Sequence, residues 1–360
     1  MQFSFFKMLL VLLVLSIATL PVKAEEPVLK IAGWDVYGDP YVVNKTIGYK
    51  SFEQKTGITI EFLPLSNLDD IISIAESEQD YDLFLISNEG IEILHDMGLV
   101  APLDLQKIPQ YQNMHPNLKY SEWSQFDSRV YAVPWAWGPT GLLYDTDVIS
   151  SPDSWNLLWD PAHKGKVAMW DDVSMIWTAA LSLGYTNVYS LTKAQLDKVE
   201  KKLLEFNKLN AIYYEGGTQM INLSKKGKLV AFNSWYNPSL RLQQAGKNFH
   251  MIIPKEGAVG MFDSYMISKK STSVDLAYQY IDHQITAQTQ KEMVNITGLA
   301  PTNIETLALL EPNQIKEMHL DNLDFFNRML LWDHMPRKHL YEKVLKTVRD
   351  DLKKRRESLQ

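Results

Sequence analysis

One stretch, residues 129–149, constrains the fold of this chain more than any other. It contains two apolar runs, residues 130–133 and 140–144, whose β-branched and aromatic side chains are typical of β-strands. The first run leads into Pro134, which has no backbone N–H and cannot donate to a central sheet ladder. We therefore predict two short strands here rather than one continuous strand.

The link between these two runs is rich in aromatic side chains. Trp135 and Trp137 lie in it, followed by a Gly-Pro pair that interrupts regular backbone. We interpret the link as a crossing between two halves of the molecule, with the tryptophans lining a cleft. The alternative is a hairpin whose two tryptophans belong to a hydrophobic core.

The rest of the chain alternates between strand and helix patterns. Strands are predicted before the crossing at residues 28–32, 58–62 and 81–86, and after it at 166–169, 228–232, 249–253 and 261–267. The clearest helix covers residues 190–210, where Thr192 and Gln195 form a capping box. Strands separated by helices predict an α/β architecture. At 360 residues and 46% hydrophobic composition, the chain is long enough for two domains.

The first 24 residues are typical of a cleavable signal peptide. Lys7 precedes the apolar run 8–20, and small residues at Val22 and Ala24 suit a cleavage site after Ala24. The sequence contains no cysteine, which excludes disulfides, zinc–thiolate sites and a lipid-modified cysteine. We therefore expect export to a Gram-negative periplasm as a protein without a lipid anchor.

The charge balance points weakly to a cationic partner. The formal net charge is −7, and removing residues 1–24 would make it two units more negative. An acidic chain argues against nucleic acid as a partner and for a positively charged ligand. Solubility alone would also explain the balance.

Tryptophan and aspartate recur together at the predicted strand ends. In open α/β sheets, ligands bind beyond the carboxyl ends of the strands. Aromatic faces and carboxylates are what binding of an organic cation requires. The strand ends carry Trp34-Asp35, Ser87-Asn88, Trp170-Asp171-Asp172, Trp235-Tyr236 and Asp263-Ser264.

Each of these signals has a structural alternative. Asp171 or Asp172 suits the N-terminus of a helix, so that one could cap it while the other faces the cleft. Trp235 could pack between domains. The adjacent Tyr213 and Tyr214 could supply oxygen ligands to ferric iron, although an aromatic segment at a strand end also explains them.

The sequence lacks the motifs of common catalytic sites. It has no G-x-S-x-G elbow, Walker A loop, G-x-G-x-x-G loop or H-E-x-x-H helix, and its histidines show no metal spacing. We expect neither an enzyme nor a bound cofactor or metal.

These segments together resemble the periplasmic spermidine/putrescine-binding proteins of ABC import systems. The resemblance covers essentially the whole chain after the signal peptide. It is carried, in order, by residues 52–58 (FEQKTGI), 81–83 (YDL), 98–104 (GLVAPLD), 133–138 (VPWAWG), 154–159 (SWNLLW), 164–166 (KGK), 254–257 (PKEG) and 263–264 (DS).

The resemblance implies a two-lobe periplasmic binding protein fold of type II, with lobes joined by crossing strands. Residues 25–137 and 262–304 would form one lobe, and residues 138–261 and 305–360 the other. It also implies a small cationic ligand held between the lobes, an inner-membrane ABC permease as partner, and a monomer.

The family's ligand-binding positions are matched in part. The matching residues are Trp34, Tyr37, Asp172, Trp235 and Asp263, and a family glutamine corresponds to Asp333. Three positions depart: Met175 replaces a glutamate, Met261 a tryptophan and Leu299 a tyrosine. We predict a ligand site of Trp34, Asp35, Tyr37, Ser87, Asn88, Asp172, Trp235, Asp263 and Asp333.

Other functions on the same fold stay open at this point. The lobes could hold another solute, of which ferric iron is the most distinct case. An exported transferase-like enzyme is a further alternative, because a fold alone does not determine function.

Overall fold

The computed structural model describes residues 27–38, 49–214 and 217–358. The predicted signal peptide, residues 1–24, lies outside the described residues. Among the described helices, none combines the length and the apolar character needed to span a membrane.

The described strands and helices alternate along most of the chain. The strands are β1 (Val28–Trp34), β2 (Thr59–Leu65), β3 (Leu83–Ser87), β4 (Gln125–Phe126), β5 (Arg129–Val130), β6 (Val133–Pro139), β7 (Gly141–Asp145), β8 (Val167–Trp170), β9 (Ile212–Tyr214), β10 (Ala231–Ser234), β11 (Phe249–Ile252), β12 (Ala258–Ile267), β13 (Ala300–Pro301) and β14 (Met329–Leu331). The helices are α1 (Asp35–Gly38), α2 (Tyr49–Thr56), α3 (Leu68–Glu76), α4 (Asn88–Asp96), α5 (Ser174–Ser182), α6 (Lys193–Lys208), α7 (Gly217–Lys225), α8 (Asn237–Gln244), α9 (Val274–Gln284), α10 (Ala287–Thr297), α11 (Pro312–Glu317) and α12 (Lys338–Glu357).

Seven strands form the first sheet, around which lobe 1 is built. Their order is β13-β6-β12-β3-β1-β2, and β14 pairs with the start of β12. β1 pairs in parallel with β2 and β3, with α2 and α3 lying between these strands in the chain. β12 runs antiparallel to both β3 and β6. The predicted strand–helix–strand pattern is confirmed in this part of the chain.

Five strands form the second sheet, around which lobe 2 is built. Their order is β11-β7-β10-β8-β9, with β8 parallel to β9 and β10. Side chains of this sheet alternate between two cores, as a sheet covered on both faces requires. Leu143 and Phe232 belong to the core that continues into lobe 1, whereas Leu142 and Ala231 belong to the core that includes α5, α6 and α12.

The chain crosses between the sheets where the sequence predicts. β6 ends in the first sheet and β7 begins in the second, so the crossing falls at Thr140. The Thr140 N–H donates to the Val259 carbonyl (2.8 Å), which ties this crossing to a second one between β11 and β12. A third crossing follows β14, because α12 packs against α6 of lobe 2. The exact division of the chain between the lobes stays a prediction.

The first apolar run does not stop at Pro134 as expected. β6 continues through this proline and lies between β12 and β13. The register explains why the proline is tolerated: Asp263 pairs with Ala136 but Ser264 pairs with Pro134, which leaves Trp135 as the extra residue of a β-bulge. The bulge interrupts the ladder of backbone hydrogen bonds at the position where Pro134, which has no N–H, could not donate one.

Trp135 and Trp137 lie in the core of lobe 1. Their side chains are 1% and 2% exposed. The interpretation that they line the cleft was therefore wrong, and the alternative of two core tryptophans describes them correctly. The bulge turns Trp135 toward Tyr37, with ring centroids 4.9 Å apart in an edge-on contact.

The predicted capping box of α6 is present. The Thr192 side chain accepts from the Gln195 N–H, and the Gln195 side chain accepts from the Thr192 N–H. The apolar face of α6 is buried, and Asn207 near its end donates to the Val348 carbonyl of α12 (3.0 Å). The two helices therefore hold the C-terminal segment on lobe 2.

The lobes also touch away from the crossings. The left-handed Gly298 (φ 66°) ends α10 of lobe 1, and Asn237 at the start of α8 in lobe 2 donates to the Ile296 carbonyl (2.8 Å). A Cβ atom on Gly298 would lie 2.7 Å from the Asn237 nitrogen, so only glycine fits. We call this contact between Gly298 and Asn237 the clasp.

Removing the Tyr341 hydroxyl group should show how much its hydrogen bonds to lobe 2 contribute to the free energy of unfolding. Tyr341, 1% exposed, donates to the Val188 carbonyl (2.7 Å) and accepts from the Leu191 N–H (2.9 Å). Tyr341→Phe leaves both backbone groups without this partner, and we expect a loss of about 1–3 kcal/mol in the free energy of unfolding. Urea unfolding measures the change.

The matched control for this measurement is Tyr120→Phe, at a side chain that is 55% exposed. It should change the unfolding free energy by less than ~0.5 kcal/mol. Equal midpoints for wild type and Tyr341→Phe would contradict the expected role of the hydroxyl.

Candidate functional site

The candidate site lies where polar and aromatic side chains at the strand ends of the two lobes meet. On lobe 1, β3 ends at Ser87, which pairs in register with Asp263 of β12. The next residue, Asn88, donates to the Trp332 carbonyl (2.6 Å), and the Trp332 ring lies 5.8 Å from that of Trp235 in lobe 2. A continuous set of contacts therefore joins the two strand-end groups.

Asp263 is the buried acid at the centre of the lobe 1 side. It is 2% exposed, and its carboxylate accepts hydrogen bonds from the Tyr37 hydroxyl and from Ser87 Oγ (2.9 Å). Burial raises the pKa of Asp263 from its ordinary 3.8 to about 6, although both hydrogen bonds act in the opposite direction. Desolvation of the charged form is therefore the dominant effect.

Tyr37 and Trp34 frame this carboxylate. Tyr37 is 3% exposed, and burial, followed by the charge of Asp263, raises the pKa of its phenol well above 10, so it stays a neutral donor. The half-buried Trp34 ends β1, and its indole N–H lies close enough to lower the pKa of Asp263. That N–H makes no well-aligned hydrogen bond with the described residues.

Asp263 has no cationic partner among the residues that the structure describes. No ion pair involves it, and the groups that contact it are neutral donors. A buried carboxylate of this kind is costly unless a positive charge is added. The geometry suits recognition of a group that brings both a positive charge and N–H donors.

Opposite the Asp263 group of lobe 1, a row of aromatic rings lines the candidate site. Trp235 packs on Trp332, Trp332 lies 6.1 Å from Trp177, and Trp177 meets Tyr189 edge-on at 5.2 Å. The sequence predicts Trp235 as a site residue but neither Trp332 nor Trp177, because Trp177 lies in the uniformly apolar helix α5 and carries no distinguishing pattern. Aromatic faces of this kind can bind a cation or the methylene groups next to it.

Asp172 stands at the start of α5 on the lobe 2 side. Its carboxylate accepts from the Ser174 N–H (2.8 Å) and from Ser174 Oγ (2.5 Å), at the first residue of the helix, although the N-cap position itself is Val173. The residue is exposed, yet protein atoms surround its carboxyl group, and this desolvation raises the pKa of Asp172. Its neighbour Asp171 pairs with Arg349 of α12 (2.8 Å). Of the two aspartates, Asp172 is thus the one that bonds to the start of the helix.

Three of the predicted site residues have other contacts in the structure. Asp35 is exposed and accepts from Ser66 Oγ (2.9 Å), outside the group around Asp263. Asp333 is exposed and accepts from the His334 N–H (2.7 Å), although its charge reaches Tyr189. The Asn88 side chain is occupied by backbone groups, since it also accepts from the Phe262 N–H (3.3 Å).

The three departures from the family pattern are apolar and buried. Met175 is fully buried in the core of lobe 2, so no side chain from that position offers a charge to the cleft. Met261 pairs in register with Gly138, and Leu299 would contact a Cβ atom on Gly138 at 3.3 Å. Met261 and Leu299 therefore form one apolar patch around Gly138.

The two adjacent tyrosines are used within lobe 2. The Tyr213 hydroxyl donates to Asn207 Oδ1 (2.7 Å), and the Tyr214 hydroxyl donates to the Asn233 carbonyl. Both side chains are buried, and no group of three or more His, Cys, Asp or Glu side chains within the described ranges is arranged to hold a metal. These contacts argue against the ferric-iron alternative.

A groove of about 470 Å³ lies elsewhere on lobe 1. Its lining includes Lys30 of β1, Glu61 of β2 and Tyr81, which precedes β3. The groove lies toward the amino ends of β1 and β3, whereas ligands of open α/β sheets bind beyond the carboxyl ends. We therefore do not assign it to the candidate site.

The fold and the strand-end site define a class of protein, namely the two-lobe solute-binding proteins that act outside the cytoplasmic membrane. A family profile described as bacterial extracellular solute-binding protein matches residues 49–317. The chain belongs to this family.

Several characterised proteins are similar to this chain. The spermidine/putrescine-binding periplasmic protein of Salmonella typhimurium is 23% identical over 310 residues, with 82% of this chain and 84% of that protein covered. The putrescine/cadaverine-binding protein of Pseudomonas aeruginosa is 25% identical over 346 residues, with 89% and 94% covered.

Solved structures share the fold. The spermidine/putrescine ABC transporter substrate-binding protein PotD of Streptococcus pneumoniae superposes with a TM-score of 0.75 at 19% identity, covering 91% of this chain and 99% of that one. The predicted α/β fold of two lobes joined by crossing strands is therefore confirmed.

Asp263→Asn should stabilise the ligand-free protein at alkaline pH. The folded protein holds the Asp263 proton more tightly than the unfolded chain, so stability falls as pH rises from about 4 through 6. Raising the pKa of this carboxyl group from 3.8 to about 6 costs roughly 3 kcal/mol of the free energy of unfolding at alkaline pH. The neutral amide of the variant does not carry this cost. The variant should therefore melt higher than wild type at pH 8, with a smaller difference at pH 5.

Thermal unfolding at both pH values tests this, with Asp145→Asn as control at a half-buried strand-end aspartate of lobe 2. The control should melt like wild type at both pH values. A lower melting temperature of Asp263→Asn at pH 8 would show that the carboxylate stabilises the fold.

Proposed function

We propose that this protein binds a polyamine or a related organic cation of the putrescine and spermidine class between its lobes. It then delivers the ligand to an ABC permease in the inner membrane. The single observation that carries this proposal is the buried Asp263 carboxylate, which contacts neutral donors and lacks a cation among the described residues.

The chemistry of an alkylammonium ion fits this carboxylate. An ammonium group donates charge-assisted hydrogen bonds, which are stronger than neutral ones and strongest where water is excluded. Tyr37 and Ser87 hold the carboxylate in place without neutralising it. The ligand would supply the missing positive charge and so offset the free-energy cost of burying the Asp263 carboxylate.

The aromatic rings fit the rest of such a ligand. Trp34 on lobe 1 and Trp235 on lobe 2 offer faces to the methylene chain and to the cationic ends. Asp172 provides a second carboxylate on the lobe 2 side. The remaining predicted contacts, Asp35, Ser87, Asn88 and Asp333, complete the proposed site as ligand contacts or as supports for it.

The similar proteins support the same ligand class. Those of Salmonella typhimurium and Pseudomonas aeruginosa are named for spermidine, putrescine and cadaverine, all of which are alkylamines. The buried Met175, Met261 and Leu299 make this site less polar than the family pattern, so the preferred amine is set by this chain's own residues.

Transport follows from ligand capture by two lobes. The crossing at Thr140 and the link between β11 and β12 would bend as the lobes close, as hinges do in binding proteins of this kind. The closed form would be recognised by the permease. We propose that the protein acts in the periplasm as a monomer after cleavage of its signal peptide, without a cofactor and without catalysis.

Calorimetric titration with putrescine and spermidine tests the proposal, together with native mass spectrometry of the freshly purified protein. Wild type should bind at least one of the two amines with a 1:1 stoichiometry. If neither amine binds at any salt concentration, the proposed ligand class is wrong, and iron or another solute in the mass spectrum would name the replacement.

Asp263→Asn should weaken amine binding by at least ~100-fold, about 2.7 kcal/mol. The amide keeps the shape of the side chain but removes the charge that the ammonium needs. Asp145→Asn, outside the site, should bind as wild type does. Unchanged affinity of Asp263→Asn would contradict the role of the carboxylate, whatever happens to its melting temperature.

Trp235→Ala should also weaken binding. It removes a face for cation–π contact worth up to ~2 kcal/mol, so a loss of up to about 30-fold in affinity is expected. Trp159→Ala is the matched control, because Trp159 is also half-buried in lobe 2 but lies next to Lys202 and Phe206, away from the site. Equal affinities of the two variants would show that Trp235 is only structural.

A further inference from the structure

Glu89 is a half-buried acid next to the candidate site that the sequence analysis did not select. It is the second residue of α4, two positions after Ser87, whose hydroxyl binds Asp263. Among the described residues, no hydrogen bond or ion pair involves its carboxylate. A half-buried carboxylate without partners is costly, which suggests that it serves a purpose other than stability.

The backbone that carries Glu89 is firmly held. Asn88 binds the Trp332 carbonyl on one side and the Phe262 N–H on the other, which fixes the start of α4 against β12 and the third crossing. Gly90 follows, where a Cβ atom would lie 2.7 Å from Leu68 of α3, so the helices are in close contact. Glu89 therefore extends from a rigid turn.

Glu89 lies at the carboxyl end of β3, two positions after the strand residue Ser87 that pairs in register with Asp263. Burial first, and then the charge of Asp263, raise its pKa, whereas Lys338 at the start of α12 lowers it, and the charge of Glu89 in turn raises the pKa of Tyr189 in lobe 2. From α3, the facing side chain is the apolar Leu68. Glu89 thus belongs to the same strand end as Asp263, beside the lobe 1 side of the site.

We propose that Glu89 binds the same ligand ammonium group as Asp263 and thereby selects ligands whose terminal amine is primary. This inference rests on the proposed function. A primary ammonium has three N–H donors and can bond to both carboxylates at once, whereas a dimethylated ammonium has one and can satisfy only one of them. The second carboxylate then stays buried without a partner, which disfavours that ligand.

Binding of a cation should be linked to release of protons. Burial and the charge of Asp263 raise the pKa of Glu89 to about 7 in the free protein, so below pH 7 much of it is protonated. Asp263, with a pKa of about 6, adds a smaller share of the protons released at pH 6. An ammonium ligand favours the ionised form, and affinity should therefore rise with pH from 6 to 8.

The experiment compares putrescine with N,N,N′,N′-tetramethylputrescine by calorimetry at pH 6 and pH 8, in two buffers of different ionisation enthalpy. Wild type should prefer putrescine and release protons on binding it at pH 6. Glu89→Gln should bind putrescine at least ~10-fold more weakly at pH 8 and lose much of the preference between the two amines. Its proton release at pH 6 should fall.

Two further variants complete the design. Glu89→Asp keeps the charge and should restore part of both the preference and the proton release. Glu92→Gln changes an exposed glutamate on the same helix and should behave like wild type.

The outcomes separate this inference from the proposed function. If wild type binds neither amine, the proposed function fails. If wild type binds putrescine and Glu89→Gln keeps its affinity, preference and proton release, the role of Glu89 is overturned. A variant that changes only the melting temperature would likewise overturn it, since that outcome describes a structural residue.

Discussion

The candidate site depends on one constraint: the Asp263 carboxylate lies in β12, a strand in which every residue is buried. All ten residues of β12 are buried, and Asp263 lies in the middle of the strand between β3 and β6. A charge in such a position is stabilised only by what the protein or a ligand brings to it. Tyr37 and Ser87 supply hydrogen bonds, but the pKa of Asp263 stays high because burial outweighs them. The fold therefore maintains a site that favours a cation before any ligand arrives.

The same strand carries the proposed ligand-binding carboxylate and lies at the crossings between the lobes. The start of β12 lies at the second crossing, beside Thr140 of the first crossing and β14 before the third. Its centre carries Asp263, five residues after Ala258, where the strand begins. A rigid, fully buried strand transmits a small displacement along its length. The proposed binding at Asp263 would thus take place close to the points where the lobes would bend.

Local patterns predict much of this fold, but the orientation of side chains depends on distant contacts. The α6 helix is foreseeable because its capping box lies within four residues of sequence, and Asp263 is foreseeable because strand ends collect site residues. Whether Trp135 faces a cleft or a core depends on a bulge between two strands far apart in the chain. The neighbours of Trp177 and Glu89 come from distant parts of the chain, which no local pattern encodes.

The clasp between Gly298 and Asn237 has a consequence of a different kind. It holds the lobes together through backbone packing and one amide hydrogen bond, and it involves none of the residues that would touch a ligand. If the lobes close over a ligand as proposed, such a contact would help to set the fraction of empty molecules that are closed. Because apparent affinity scales with the population of the binding-competent form, the clasp would then multiply the affinity for every solute by the same factor. Evolution can then adjust the strength of uptake at this point while leaving the choice of cargo unchanged.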